Sequence, residues 1–437
     1  MKTSVRLLGL LLLHLLLITT VMGLSNIARV PVHRNANYKA DGTKSLVWLF
    51  HKYGMTPTRQ GRFHRNKEHV LMKRQTDGSS AQVTTDDQQN DSFYTCPVQI
   101  GTPAQTLNLD FDSGSSDFWT WSTHLPSHTV KAAKASGAPV FNPDNSSTFK
   151  TMPGSTWYIQ YGDSSVASGT VGTDNVKIGN ITIENQAIEL ASKISSQLQN
   201  QTGSRGLVGL AFGSINTVRP KPVHTPLENM ILQHDIPADQ QLFTCYLGSY
   251  KDANDPDHGK SFYTFGAVDQ GAVQSSGQRI SYVPVDNSKG FWMFDSPSVV
   301  LNGQTINLAN NQAVADTGTT LMLVSDQICD QFYGAIDGAE FSEDAMGWIY
   351  PADTPAESLP TISFAVGNTL ITIEKEHYAF AAYNSTMVYG GIQSQGSLGF
   401  SIFGDVFLQS VYAIFDAGNM RFGVVQRADP TPNGPQA

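Results

Sequence analysis

Two triplets, Asp112-Ser113-Gly114 and Asp316-Thr317-Gly318, stand 204 residues apart in a chain of 437. Each follows a strand-like run, Leu107 to Phe111 and Ala313 to Ala315, and each leads into small hydroxyl residues, Ser115-Ser116 and Thr319-Thr320. One Asp-x-Gly is ordinary turn chemistry, but two in matching contexts suggest two carboxylates that meet across a cleft. Carboxylates about 3 Å apart cannot both ionise, so they share a proton. The ionised member can then draw a proton from a water held between them, while the protonated member polarises a carbonyl. No metal or cofactor is needed for that chemistry. Glycine after each pair lets backbone approach closely, and the Ser113 and Thr317 hydroxyls can bond across an interface to hold the carboxylates level.

Positioning two such groups calls for a duplicated frame, and the rest of the chain is punctuated accordingly. Gly209, in Leu207-Val208-Gly209-Leu210, lies 97 positions after Asp112, and Gly404, in Ile402-Phe403-Gly404-Asp405, lies 88 after Asp316. Either glycine alone reads as a strand bend. From about Asp91 short alternating apolar runs are separated by Gly, Asn, Asp, Ser and Pro, as in Thr106 to Leu109, Val176 to Ile178 and Val411 to Phe415. That pattern predicts an all-β, bilobal fold with a cleft between two related lobes. Short helices are expected at Pro226–Ile231 and Ser325–Tyr333. The lobes are placed at 91–265 and 266–430, after a loose lead-in at 75–90 and before a polar tail at 431–437.

With Ser115-Ser116-Asp117-Phe118-Trp119, Tyr161-Gly162-Asp163, Gly206 to Phe212 and Ser401 to Phe407, the chain resembles the pepsin-like aspartic proteases, and most the secreted fungal, aspergillopepsin- and penicillopepsin-like branch. The resemblance covers about Asp91 to Arg427. It implies that Asp112 and Asp316 are the catalytic dyad and that Tyr161, Gly162 and Asp163 form the flap closing over substrate. It also implies that the Trp119 indole bonds the flap tyrosine, that Gly114 and Gly318 lie against an extended peptide, and that Ser115 and Thr319 bond near the carboxylates. Residue type alone would read Tyr161 and Trp119 as core aromatics of a β-domain. Bulky apolar side chains are expected around the cut; Asp163 resembles the residue that admits Lys on the acyl side, or is a solvated turn Asp. A catalytically silent pepsin-like binding protein is the competing reading; such relatives typically damage one aspartate or its glycine, and here both triplets are intact.

Charge divides the chain. Residues 24–74 hold eleven Lys/Arg against Asp41 and Glu68, a net of +9, whereas from Gln75 onward 35 acids outnumber 15 bases. A basic segment on an acidic body predicts an electrostatic clamp released by protonation, with processing after Arg74 of the Lys73-Arg74 pair. An acidic body makes nucleic-acid binding a poor reading of the basic segment. The family resemblance implies that Lys52 and Tyr53, in His51-Lys52-Tyr53-Gly54, occupy the cleft as part of an intramolecular propeptide; composition alone reads an exposed Lys beside an aromatic. The apolar stretch Leu7 to Val21 behind Lys2 and Arg6 predicts a signal peptide at 1–23, no membrane anchor, and a secreted or vacuolar monomer acting on peptides and proteins. Sequons at Asn90, Asn145, Asn180, Asn200 and Asn384 are glycosylation candidates. Cys96, Cys245 and Cys329 lack metal-ligand spacing, and an odd count leaves at least one thiol without an intramolecular partner. Three departures from the family pattern stand out. Ala352 and Val388 occupy the positions of a disulfide common in secreted relatives, where apolar packing is expected instead. Ser164 replaces a usual Gly, and Arg205 replaces an acid or amide.

Overall fold

The computed structural model describes residues 27–34, 40–59, 94–135, 137, 139–160, 166–195, 204–248 and 261–427. The fold is all-β, as expected, and built twice over. In Gln105–Asp112 the side chains of Leu107, Leu109 and Phe111 turn inward while Thr106 and Asn108 face out; by Asp110 the strand is wholly inside. Period-two patterning makes it a strand, and loss of alternation marks its entry into the interior.

The first half sets Gln105–Asp112 parallel to Gly206–Gly209, pairing Phe111 with Val208 and Asp112 with Gly209. Phe118–Trp121 runs antiparallel to Gly206–Gly209 and parallel to Ile181–Ile194. The second half repeats this arrangement. Gln312–Ala315 is parallel to Ser401–Phe403, while Met322–Val324 is antiparallel to Ser401–Phe403 and parallel to Ile392–Ser394. The two glycines close each unit. A Cβ on Gly209 would meet the Ser116 backbone at 2.5 Å, and one on Gly404 would meet the Thr319 carbonyl oxygen at 2.1 Å. A side chain at either position would push the loop after its aspartate out of place, which a simple strand bend would not require.

A continuous thirteen-stranded sheet joins the halves. Within it the basic strand Val30–Arg34 lies between Ser261–Phe265 and Tyr94–Ile100, antiparallel to both. The helices expected near Pro226 and Ser325 form as Pro226–Leu232, closed by a Thr225–Glu228 capping box, and Asp326–Tyr333, capped by Ser325. A helix not expected from the sequence, Gly42–Lys52, follows the basic strand and is capped by Asp41, which accepts from the Lys44 N–H at 3.1 Å. Its run Leu46-Val47-Trp48-Leu49-Phe50 is buried throughout and packs into the cluster holding Trp119, Val314, Leu321 and Ile402. A helix apolar on every side must be covered on every side, and this one lies within the protein as a core element.

All three cysteines are buried free thiols. The apolar replacement expected between Ala352 and Val388 is not what holds that region. Ala352 is exposed and its N–H donates to the Thr386 carbonyl at 2.9 Å, while Val388 pairs with Tyr350 and packs inward. A backbone ladder ties the strands there, so the two side chains need not meet.

Candidate active site

Asp112 and Asp316 sit at the ends of the two mirrored strands, both buried, and face one another. The frame around them is reciprocal. The Ser113 N–H donates to Thr317 Oγ1 at 3.0 Å and the Thr317 N–H to Ser113 Oγ at 3.0 Å. The Ser113 hydroxyl then donates to the Ala315 carbonyl at 2.9 Å, and the Thr317 hydroxyl to the Phe111 carbonyl at 2.6 Å. Four buried bonds thus cross between the halves, each hydroxyl both donating and accepting, so none of these polar groups is left unsatisfied.

The carboxylates are held in matching ways. Asp112 Oδ1 accepts from the Gly114 N–H at 2.7 Å and Oδ2 from Ser115 Oγ at 2.7 Å. Asp316 Oδ1 accepts from the Gly318 N–H at 3.0 Å, and Oδ2 from the Thr319 hydroxyl. The glycines are required by the closeness of the pair: a Cβ on Gly114 would come within 2.4 Å of Asp316 Oδ1, and one on Gly318 within 2.4 Å of the Asp112 carboxyl carbon.

The basic segment passes through this site. Lys52, the last residue of its helix, donates from Nζ to Asp112 Oδ1 at 2.9 Å, to Asp316 Oδ2 at 2.9 Å and Oδ1 at 3.1 Å, and to the Gly318 carbonyl at 3.2 Å. Tyr53 donates its hydroxyl to Asp316 Oδ2 at 2.5 Å, its ring resting between Phe291 and Phe400. Burial pushes the Asp112 carboxyl up, to about 6, against the pull of Lys52. Burial acts on Asp316 in the same sense, but Lys52 first, then the Asp112 side chain and the hydroxyls of Thr319 and Tyr53, hold it down, at about 2. The Lys52 ammonium, desolvated but facing two carboxylates, is held above its usual range. One ammonium therefore lies against two carboxyls whose surroundings push them apart, Asp316 ionising well before Asp112.

Downstream, Arg59 lies over Phe341 and Trp348, 5.4 and 5.1 Å from the ring centres, and pairs with Asp330. Trp119 stacks on Trp157 at 5.8 Å, and its indole N–H, buried, has no partner among the described residues. Tyr161, Gly162, Asp163 and Ser164 lie outside the described residues; Lys150–Gln160 and Val166–Ile178 lead to them as antiparallel partners up to the Gln160–Val166 pair. Arg74, Asn90 and Asn200 are likewise outside, while Asn145, Asn180 and Asn384 are exposed. The Arg205 guanidinium lies over Trp121 at 4.5 Å.

A polar cluster behind Trp119 joins Asp117, from the motif that ends at Trp119, to Glu189 and Asn216, which belong to no motif. Asp117 Oδ1 accepts from the Asn216 amide at 3.0 Å, the Thr217 N–H at 2.8 Å and its hydroxyl at 3.0 Å, and Glu189 Oε1 shares the same amide at 3.0 Å. Burial first, and then the Asp117 charge, pushes the Glu189 carboxyl well up. The cluster pins the loop after Asp112 to the neighbouring strand. Beyond Asp117, its one sequence signal is the lone acid within Ile188-Glu189-Leu190.

Known proteins resemble this chain over most of its length. Residues 93–427 match the family model described as eukaryotic aspartyl protease. The chain is 39% identical over 352 residues to aspergillopepsin-1 of Aspergillus fumigatus, covering 80% of this chain and 82% of that one. It is 36% identical over 386 residues to endothiapepsin of Cryphonectria parasitica, covering 88% and 86%, and 38% identical over 341 residues to penicillopepsin-1 of Penicillium janthinellum, covering 78% and 96%.

Proposed function

The chain belongs to the eukaryotic aspartyl protease family, and from that premise we propose that it is a secreted zymogen whose Asp112 and Asp316 activate water to cut peptide bonds in acid. It is an aspartic endopeptidase, a hydrolase acting on peptides. One observation carries the assignment of its machinery: two buried carboxylates, related by a reciprocal Ser113–Thr317 frame, share a single ammonium at hydrogen-bond distance.

Once Lys52 leaves, the space between the carboxylates is open to water. The ionised member takes a proton from that water as its oxygen attacks the scissile carbonyl carbon. The protonated member donates toward the carbonyl oxygen, giving a tetrahedral intermediate. Collapse breaks the C–N bond, with a proton returned to the leaving amine. Throughout, the glycine N–H groups and the Ser115 and Thr319 hydroxyls keep the carboxylates oriented, so little reorganisation accompanies the step.

Residues 24–74 act as the propeptide. Their basic strand joins the central sheet, their helix fills a buried groove, and Lys52 and Tyr53 stopper the dyad. Cleavage after Arg74 separates the segment from the acidic body. The apolar N-terminal stretch supports export, and exposed Asn145, Asn180 and Asn384 are available for glycosylation. The mature enzyme acts as a monomer, because one chain supplies both aspartates.

Replacing Asp112 with Asn removes the shared-proton pair, and loss of both peptide hydrolysis and self-processing in acid is expected, by about 1,000-fold or more. Normal self-processing of Asp112→Asn would sink the assignment. Apolar residues flank the preferred cut, and Asp163 pairs with a substrate Lys on the acyl side. Asp163→Ala should therefore lose hydrolysis of Lys peptides while retaining Leu peptides; equal loss on both would remove the charge pairing.

A further inference from the structure

In the C-terminal half, away from the dyad, a short 3-10 turn at Lys375–Tyr378 gathers three potential ligands that the protease chemistry does not use. His377 is the centre of it. Its side chain is 2% exposed, and its Nε2 is buried without a hydrogen-bond partner among the described residues. Glu374 Oε2 and Glu376 Oε1 each stand 3.5 Å from that nitrogen, too far for a good hydrogen bond, and their side chains are 19% and 20% exposed. All three ligand atoms lie within 4.8 Å of one another. We propose that Glu374, Glu376 and His377 form a binding site for a divalent cation of the zinc class, separate from the catalytic pair.

The spacing fits such an ion. Zinc binds imidazole nitrogen and carboxylate oxygen at about 2.0–2.2 Å, so neighbouring ligands of a tetrahedron lie about 3.4 Å apart. Both His–Glu separations come close to that edge. An imidazole ligand selects against calcium and magnesium, which take oxygen. Two carboxylates and one neutral imidazole leave a charge of −2 for the cation to offset, and the partly open glutamate side leaves room for a water as fourth ligand.

The turn is also fixed in advance. The His377 N–H donates to the Glu374 carbonyl at 3.0 Å, and the Glu374 N–H to Ser410 Oγ at 3.3 Å. A Cβ on Gly391 would come within 2.5 Å of the His377 carbonyl oxygen, so the backbones there are already in contact. The one cationic side chain in the turn points elsewhere, Lys375 donating to the Ala356 carbonyl at 3.0 Å. Gly391 also accepts from the Met322 N–H at 2.9 Å. A bound ion would thus brace the layer behind the strand that follows Asp316.

The test is to strip the full chain with a chelator, titrate it with Co2+ while recording visible absorption, and repeat by equilibrium dialysis against Zn2+. One equivalent with the intense bands of tetrahedral Co2+ is expected. Glu374→Gln/Glu376→Gln, at partly exposed positions, should weaken binding by about tenfold or more. His377→Gln should abolish the tetrahedral spectrum. Absence of a stoichiometric site in the unaltered chain would overturn the proposal. So would equal binding by the glutamate variant, which would put the metal on other side chains such as His33 and His51.

Discussion

Replacing Lys52 with Met removes one charge and keeps much of the side-chain volume, so it isolates what the ammonium contributes to leader docking. In the docked state that ammonium makes four contacts between 2.9 and 3.2 Å, three of them to the dyad, and its side chain is 9% exposed. Truncating one partner of a buried, hydrogen-bonded charge pair costs about 2–5 kcal/mol. Because the vacated cleft admits water, the lower half applies, about 3 kcal/mol or roughly 100-fold in affinity. The assay is inhibition of the leader-free enzyme by a peptide spanning residues 27–59, with the Lys52→Met peptide beside it. The pH profile carries a second expectation. Asp112, raised to about 6 by burial against the pull of Lys52, takes up its proton as pH falls through that value, which removes one of the two charges facing the ammonium and weakens docking in part. Asp316, lowered from 3.8 to about 2, stabilises the docked state above 3.8 and loses that contribution as pH falls toward 2. Inhibition should therefore weaken in part as pH falls through about 6 and further below about 4. A Lys52→Met peptide within threefold of the unaltered one would refute the ammonium's role. Weakening already complete at pH 5 would refute the Asp316 argument.

Arg59→Ala removes a partly exposed latch over Phe341 and Trp348 with its Asp330 partner; it should weaken the same peptide by no more than about tenfold, and less at high salt. Thr317→Val deletes a hydroxyl that accepts from the Ser113 N–H and donates to the Phe111 carbonyl; chemical denaturation should show a loss of about 2–4 kcal/mol, and an unchanged midpoint would show that the frame contributes nothing to stability. Thiol labelling of the denatured, unreduced chain should count three, since Cys96, Cys245 and Cys329 are all free; a count of one would mean that two are paired.

The dyad and the duplicated frame could be read from sequence because both depend on local requirements. A buried Asp followed by a hydroxyl and a glycine, and a glycine pressed on the loop beside it, leave little freedom of residue type. The helix Gly42–Lys52 escaped for the opposite reason. It is buried on all sides, so it shows no 3.6-residue alternation, and its run of five apolar residues matches a strand as well as a helix. Glu189 and Asn216 escaped because their partner Asp117 is 72 and 99 positions away, and neither has a distinctive neighbour. Ala352 and Val388 were placed together by analogy with a disulfide, whereas the register sets Val388 against Tyr350.

The basic strand Val30–Arg34 is a seam as well as part of a stopper. It is stitched to Ser261–Phe265 on one side and to Tyr94–Ile100 on the other, so the sheet joining the two halves is continuous only while this strand is in place. If residues 24–74 are shed as proposed, two things follow at once: the carboxylates are uncovered and a slit opens in the sheet, exposing two strand edges. Whatever chain refills that slit sets how freely the halves can swing about the dyad. Amide exchange along Ser261–Phe265, slow with the leader docked, should quicken at the moment of activation and slow again once the slit is filled.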